Sequence, residues 1–358
     1  MKVFVAGATG VIGRALIPDL VARGHEVVGM TRSASKQNLV RSLGARVVVA
    51  DALDADAVGP AVASAEPDVI VHELTALSGE LSVRDARHLD RSPMFAVTNR
   101  LRTEGTDHLL AAGQAVGARR FVAQSFAAFR FARTGGPVLS EDDPFGPSRF
   151  GVVQPGIEAM NYLERAVTAI TWGEGIVLRY GGLYGPGTAI SLAPDAHMAM
   201  LVRKRRFPII GDGGGVFSHV HIDDAAAATA LAVEHGHPGI YNIVDDEPAP
   251  AREWLPVLAR ALAAGPPRRI PRWLGRLAAG AGPTAMMTEA RGASNEKAKR
   301  ELGWHPHYAS WRDGFTTGLG AEPRALAAAR VPSTAESARG VGSDGVAWDV
   351  NSEHRSRS

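Results

Sequence analysis

The sequence predicts an α/β protein with a doubly wound parallel sheet and a smaller C-terminal subdomain. Three observations lead to this prediction. Short apolar segments alternate with stretches of helical spacing, a glycine cluster follows the first apolar segment, and the proline and arginine content rises after Glu247. Alternation of strands and helices is typical of a parallel sheet with crossover helices.

The predicted elements follow from local patterns along the chain. Val3, Phe4 and Val5 form an apolar run, so Met1–Ala6 is predicted as a buried strand, and helical spacing follows over Ile12–Ala22. Further strands are predicted at Glu26–Met30, Ala45–Ala50, Asp68–Val71, Arg120–Ala123, Gly175–Arg179 and Gly239–Val244. Later helices are predicted at Asp223–Glu234, Trp254–Ala263 and Pro271–Ala279.

Composition and charge exclude several classes of function. The 39 Lys+Arg and 37 Asp+Glu residues leave a net charge of +2, which gives no reason to expect a nucleic-acid or membrane partner. The chain has no cysteine, so disulfides, thiolate nucleophiles and cysteine-ligated metals are excluded, and we expect no metal. No apolar run approaches the roughly 18 residues of a membrane span. We therefore expect a cytoplasmic protein.

The first strand and the first helix are joined by a glycine motif that suits a dinucleotide. Its residues are Gly7, Ala8, Thr9, Gly10, Val11, Ile12 and Gly13. Glycines allow a tight turn and close approach to a pyrophosphate, and the helix N-terminus offers free N–H groups. A tight turn without a ligand is the alternative. The strand–glycine–helix context favours a Rossmann-type, phosphate-binding domain.

The residues after the second strand bear on which dinucleotide binds. An acidic residue there would favour NAD, whereas this chain has Arg32, followed a turn later by Lys36. A guanidinium presents a planar fork of donors that suits the 2′-phosphate of NADP. The sequence therefore favours NADP(H) over NAD(H).

Several motifs in order resemble the short-chain dehydrogenase/reductase superfamily, in its extended NAD-dependent epimerase/dehydratase branch. Besides the glycine motif, Asn99 with Gly105-Thr106 resembles an N-x-x-G-T pattern with a longer gap. The later segments are Leu178 to Gly187, Gly211 to Gly214 with His219 to Ala225, Tyr241 to Ile243 and Lys299 to Trp304. The resemblance covers about residues 1 to 319.

The resemblance implies a site, a division of the chain and an assembly. Cofactor contacts would come from the glycine motif, Arg32, Lys36, Asp51, Ala52, Leu74, Thr75, Asn99, Tyr180, Gly181 and Leu183. Substrate contacts would come from Phe126, Ala127, Gly156, Met160 and Tyr184. Residues 1–184 and about 216–247 would form the nucleotide-binding domain, 185–215 and 248–319 the substrate-binding subdomain, and 320–358 a disordered tail. A homodimer would form through the helices that carry Asn99 to Leu110 and Met160 to Val167.

One part of the family pattern is missing. The family's Tyr-x-x-x-Lys pair exchanges a proton with the substrate, but none of the five tyrosines here has lysine four residues later. If Glu164 is the family's glutamate eight residues after that tyrosine, the two positions are Gly156 and Met160. Ser125 matches the substrate-orienting serine, while Phe129 replaces the usual aromatic phenol four residues later.

Three residues are weighed as replacements for the missing acid and base. They are Tyr162, Glu158 and Glu73, and helical spacing places Tyr162 off the face of Met160, so we interpret it as a core residue. The sequence favours an oxidoreductase or epimerase/dehydratase acting on a small molecule. A non-redox cyclase, isomerase or lyase on the same scaffold stays open, as does a non-catalytic sensor of NAD(P).

Overall fold

A computed structural model describes residues 1–77, 88–127, 135–146 and 151–320. Within these ranges the chain forms 15 strands and 13 α-helices, with short 3-10 turns at Ala34–Lys36, Leu89–Arg91 and Gly151–Val153. Phe129 and the predicted tail beyond Gly320 lie outside the described residues.

The strands divide into a central set and short peripheral ones. In chain order they are β1 Lys2–Ala6, β2 Glu26–Thr31, β3 Arg46–Val49, β4 Val69–His72, β5 Arg120–Phe126, β6 Val138–Leu139, β7 Glu174–Tyr180, β8 Gly182–Tyr184, β9 Ile209–Ile210, β10 Val216–Phe217, β11 His219–His221, β12 Gly239–Ile243, β13 Ala249–Pro250, β14 Arg269–Ile270 and β15 Gly292–Ala293.

The helices connect the strands and form the C-terminal layer. They are α1 Val11–Ala22, α2 Gln37–Ser42, α3 Ala55–Ala63, α4 Pro93–Arg102, α5 Glu104–Ala115, α6 Gln154–Thr168, α7 His197–Arg203, α8 Ile222–Glu234, α9 Ala251–Ala261, α10 Arg272–Ala279, α11 Ala281–Glu289, α12 Glu296–Leu302 and α13 Trp311–Thr317. Each predicted strand and helix is present, with ends that differ by at most three residues.

The central sheet is parallel and has the order β12-β7-β5-β4-β1-β2-β3. Strand β1 pairs with β2 on one side, where Ala6 faces Met30, and with β4 on the other, where Ala6 faces His72. The order reverses at β1. Open α/β sheets bind ligands at such a switch point, outside the carboxyl ends of the strands. The fold class predicted from the sequence is confirmed.

Helices cover the sheet on both faces and give it two cores. On one face α1 packs against α8, and Leu16, Ile17 and Leu20 are completely buried there. On the other face Phe4 and Phe121 lie in a second core with residues of α5 and α6. Burial of apolar surface on both sides explains why the strands are continuous apolar runs rather than alternating ones.

A third core lies in the C-terminal part of the chain, around Trp254, Trp311 and Phe315. Asp224 of α8 ties this part to the sheet. Its two carboxylate oxygens accept the backbone N–H groups of His307 at 2.7 Å and Tyr308 at 3.0 Å. In the part of the chain that the structure describes, no helix is long and apolar enough to cross a membrane.

Candidate functional site

The glycine loop after β1 has the geometry of a phosphate cradle. A Cβ on Gly7, whose φ is +102°, would stand 2.6 Å from the carbonyl oxygen of Glu73, and one on Gly13 would stand 2.4 Å from that of Gly7. Gly10 caps helix α1 without a side-chain hydrogen bond. The first N–H groups of α1 are thus available to an anion, as a dinucleotide pyrophosphate requires. The loop fits the predicted cofactor.

The residues predicted to contact the adenosine half of the cofactor lie at the ends of β2 and β3. Arg32 and Lys36 are exposed, and neither makes a hydrogen bond or ion pair through its side chain with the described part of the chain. Asp51 is also exposed, and its carboxylate accepts the N–H of Leu53 at 3.0 Å. Ala52 is buried beside it, and its carbonyl oxygen bonds the Nδ1 of His108.

Strand β4 ends in two buried titratable residues. The ring of His72 bonds the carbonyl oxygen of Leu101 and the N–H of Leu74, both at 3.2 Å, and burial lowers its pKa to about 4. It is therefore neutral at pH 7 and fixes the strand end against α4. Thr75 is exposed just beyond.

Glu73 points below the glycine loop and not into an open cleft. Its Oε1 accepts the hydroxyl proton of Tyr180 at 2.9 Å, and that hydroxyl also bonds Thr229 at 2.7 Å. Burial raises the pKa of Glu73 to about 8 and that of Tyr180 above its ordinary value. The predicted roles of Glu73 as an acid and of Tyr180 as a cofactor contact stay predictions.

Beyond β7 the chain passes close to a neighbouring loop. A Cβ on Gly181 would stand 2.7 Å from the carbonyl oxygen of Ser218, so only glycine fits there. Leu183 is half-buried. Tyr184, predicted to contact substrate, is fully buried in the third core, with its ring against His221 and Phe315. Its predicted role stays a prediction.

A buried ion pair fixes helix α6 against the sheet. Arg179 of β7 donates from Nε to Oε1 of Glu164 at 2.8 Å and from Nη2 to Oε2 at 2.7 Å. Ser125, at the end of β5, donates its hydroxyl proton to the same Oε1 at 2.7 Å. All three residues are about 4 % exposed. Bidentate pairs of this kind fix orientation as well as position.

The face of α6 that carries Glu164 also carries Gly156 and Met160, because residues four apart lie on one side of a helix. Met160 is 1 % exposed and packs with Phe145 and other apolar side chains near Phe126. If Glu164 is the family's glutamate, this face presents a hydrogen atom and a thioether at the positions of the tyrosine and lysine. Ala127 is buried at the end of β5.

The two candidate replacements on α6 lie elsewhere on the helix. Glu158 is exposed, and its carboxylate accepts a hydrogen bond from the side chain of Gln154. Tyr162 is 36 % exposed, so its interpretation as a core residue was wrong. Its hydroxyl donates to Asp107 of α5 at 2.7 Å, and this bond raises its pKa. The helical period correctly places Tyr162 away from Met160. The side of α6 on which Tyr162 lies is open to solvent, because no other element of the described ranges packs over it.

Sequence reasoning missed Arg102. The N-x-x-G-T pattern puts asparagine three residues before Gly105, and that position is Arg102, at the end of α4. Asn99 lies one turn earlier on the same helix. Both residues line a pocket with Gly156. The spacing of the pattern could have identified Arg102. Asn99 lies six residues before Gly105, whereas the pattern requires three.

No group of three or more His, Asp or Glu side chains is placed to hold a metal ion in the described ranges. Of the residues whose roles the sequence predicted, the glycine loop, Glu73, Ser125 and Tyr180 lie at the carboxyl ends of β1, β4, β5 and β7. Others follow β2 and β3 or lie on α4 and α6. Tyr162 and Glu158 lie on the surface, and Tyr184 lies in a separate core.

Comparison with known proteins agrees with this arrangement. Residues 3–244 match the NAD dependent epimerase/dehydratase family. A protein of a Streptomyces species, named 3-diazoavenalumate denitrifying reductase, is 48 % identical over 319 residues, which cover 88 % of this chain and 99 % of that protein.

Two solved structures share the fold. The UDP-glucose 4-epimerase of Thermotoga maritima, solved with UDP-glucose, has a TM-score of 0.69 and 21 % identity, covering 89 % of this chain and 97 % of that one. The human epimerase family protein SDR39U1, solved with NADPH, has a TM-score of 0.68 and 22 % identity, covering 89 % and 99 %.

The raised pKa of Glu73 predicts how stability depends on pH. The folded protein keeps a proton on Glu73 up to about pH 8, whereas an unfolded glutamate releases it near 4.5. This contribution to stability is complete below about pH 4.5 and is lost as the pH rises toward 8. We expect Glu73→Gln, which keeps an acceptor for Tyr180, to lose less stability than the wild type between about pH 5 and pH 8, measured by urea unfolding.

Burial also raises the pKa of Asp245 to about 8. The unfolding free energy of Glu73→Gln therefore still falls with pH, but less steeply than that of the wild type. We expect Glu73→Gln to be more stable than the wild type at pH 8 by more than about 1 kcal/mol. Glu158→Gln, a change at an exposed carboxylate, should leave the slope unchanged. Equal slopes for Glu73→Gln and the wild type would show that Glu73 is ionised in the folded protein.

Proposed function

The chain belongs to the NAD-dependent epimerase/dehydratase family, and on this premise we propose that it is an NADP(H)-dependent reductase of a small molecule. The reducible group is one that accepts hydride without a proton from the protein. The observation that supports this proposal is that the chain has no Tyr-x-x-x-Lys pair, and we infer that Gly156 and Met160, on the face of α6 that carries Glu164, stand in the positions of that pair.

The missing pair restricts the chemistry that fits. Reduction of a carbonyl needs a proton on oxygen as well as a hydride on carbon, and a positioned acid speeds such steps by about a hundredfold or more. An arenediazonium ion needs none, because Ar–N2⁺ + NADPH gives Ar–H + N2 + NADP⁺, with the C–N electron pair leaving on N2. The 48 % identical relative, named for removing nitrogen from a diazo compound, supports this class of substrate.

The residues of the chain then bind and orient the reactants. The N–H groups at the start of α1 hold the pyrophosphate, and Arg32 with Lys36 holds the 2′-phosphate. The hydroxyl of Ser125 donates a hydrogen bond to Glu164, so Ser125 acts as a positioning residue that fixes the end of β5. Gly156 leaves space where a tyrosine side chain would fill the site.

Other functions have less support. Epimerisation at a carbon that bears a hydroxyl, or reduction of a ketone, would require a proton acceptor or donor on the inward face of α6. A non-redox lyase or isomerase would not need the glycine loop, in which Gly7 and Gly13 are each required by close backbone contacts. A sensor without chemistry would not need a pocket beside Gly156.

The assembly also remains a proposal. The helices that the resemblance assigns to a homodimer contact are α4, α5 and α6, and the Tyr162–Asp107 hydrogen bond joins the exposed sides of α5 and α6. We propose a homodimer through these helices.

We expect Arg32→Ala to weaken binding of NADPH by about tenfold or more and to change NADH affinity little. Loss of a hydrogen bond to a charged phosphate costs about 1.5–3 kcal/mol, whereas NADH has no phosphate at that position. Isothermal titration with both cofactors measures the difference. Arg41→Ala is the matched control, since Arg41 is exposed nearby but bonds Asn38 and Gln37. Equal losses for both cofactors would contradict the role of Arg32.

The reaction itself predicts where the new hydrogen comes from. With 4-carboxybenzenediazonium as probe and NADPH deuterated at the transferred position, we expect benzoate that carries one deuterium at the carbon that lost nitrogen. Mass spectrometry of the product measures it. With unlabelled NADPH in D2O the product should carry none at that carbon.

Gly13→Val is the control, because its side chain would enter the space next to the carbonyl of Gly7 and block the cradle. Gly13→Val should abolish the protein-dependent transfer of deuterium from NADPH to the product. Deuterium that enters from D2O and not from NADPH would overturn the proposed reduction.

A further inference from the structure

We infer that Arg102 binds a carboxylate of the substrate in the pocket beside Gly156. The inference rests on the proposed function in one respect, since the molecule bound there is taken to be the one reduced. It adds the class of substrate, an apolar and aromatic acid.

The pocket opens where a larger side chain is missing. A Cβ on Gly156 would stand 4.0 Å from the Oδ1 of Asn99, so the space of the family's tyrosine lies directly against α4. The other lining residues come from α4, α6 and the two short turns beside them: Leu89, Asp90, Phe95, Arg102, Val152, Val153 and Pro155.

Arg102 is a buried cation on the wall of this pocket. Its side chain makes no hydrogen bond or ion pair with the described part of the chain, it is 9 % exposed, and its Nε is fully buried. Burial lowers its pKa to about 10, which leaves it charged at neutral pH. The Oδ1 of Asn99 is also buried and has no hydrogen-bond partner among the described residues. Buried charges are normally paired, because an unpaired one is costly.

The charge of Glu164 raises the pKa of Arg102 against the larger effect of burial, but no titratable group in the described ranges makes a hydrogen bond or ion pair with the Arg102 side chain. The two oxygens of Glu164 are already bonded by Arg179 and Ser125. His72, the other titratable neighbour, is neutral at pH 7, because burial lowers its pKa to about 4. Asp90 faces Arg91, with 3.7 Å between Oδ2 and Nε.

The lining of the pocket favours a substrate over the cofactor as the source of the anion. Its lining is largely apolar, from Leu89, Phe95, Val152, Val153 and Pro155, and it includes one carboxylate, that of Asp90. No residue of the glycine loop lines it, and neither does Arg32. The pocket has a volume of about 20 Å³, so it takes only a small group, and the cation suits an anionic group of an apolar molecule whose other atoms lie outside the pocket. The buried Oδ1 of Asn99 is an acceptor, so it would take a hydrogen-bond donor of the ligand and not the anion itself.

The test compares an acid with its neutral ester. We expect the protein with NADP⁺ to bind 4-hydroxycinnamate at least about tenfold tighter than methyl 4-hydroxycinnamate, because a hydrogen bond to a charged group is worth about 1.5 kcal/mol or more. Isothermal titration measures both affinities. In Arg102→Gln the acid and the ester should bind equally, and Arg102→Lys should restore part of the preference.

Arg100→Gln is the matched control. Arg100 lies on the same helix, but it is exposed and forms a fork with Glu104. It should keep the preference of the wild type, and NADPH affinity should be the same in the wild type and all three variants. Arg102→Met provides an independent readout. Removing a buried unpaired charge should raise the urea midpoint of the ligand-free protein.

Several outcomes would overturn the inference. They are equal binding of acid and ester by the wild type, an unchanged preference in Arg102→Gln, and a lower urea midpoint for Arg102→Met. If Arg102→Gln lost NADPH affinity but kept the preference for the acid, the Arg102 guanidinium would be assigned to a phosphate of the cofactor. That result would also overturn the inference. Failure of deuterium transfer with the acid preference intact would overturn only the proposed reduction.

Discussion

The fork between Arg179 and Glu164 is the interaction on which the account of the site depends. It joins the end of β7 to the middle of α6 inside the protein, and Ser125 of β5 bonds the same carboxylate. The fork therefore fixes the rotation of α6 about its axis. With Glu164 facing the sheet, Met160 and Gly156 must face the same way. Removing one partner of a buried pair leaves an uncompensated charge, so this orientation is strongly held.

The orientation of α6 that the Arg179–Glu164 pair fixes also determines which side chains face the pocket. A tyrosine at position 156 would extend toward Asn99, and a lysine at 160 would bring a cation close to Glu164 and the sheet. In this chain neither is present, and the positive charge on this side comes from Arg102 of the neighbouring helix α4. In the function that we propose, Arg102 binds the substrate and no group on this face of α6 donates a proton. A reduction that releases nitrogen needs no proton from the protein.

The sequence predicts the parts of the fold that depend on local chemistry. The glycine loop is an example, because backbone conformation at Gly7 and close approach at Gly13 require glycine whatever surrounds them. Strand positions were predicted because parallel strands buried on both faces are continuous apolar runs. The absence of the Tyr-x-x-x-Lys pair was also visible, since it needs only the spacing of two residue types.

The rest required packing that the sequence does not contain. The helical period placed Tyr162 on the outward face, but it could not show that the face stays exposed. Thr103 separates α4 from α5, and this break places Arg102 beside the pocket. Glu73 could be assigned to a strand end from its position, yet only the structure shows that its side chain turns below the glycine loop toward Tyr180.

The most direct test of the central claim is the maximal rate of the reduction in H2O and in D2O over a range of pH. If no protein group supplies a proton, kcat for a diazonium substrate is the same in both solvents and does not change with pH. A clearly lower kcat in D2O, with a pH profile that reports one ionising group, would show that an acid takes part and would contradict the account.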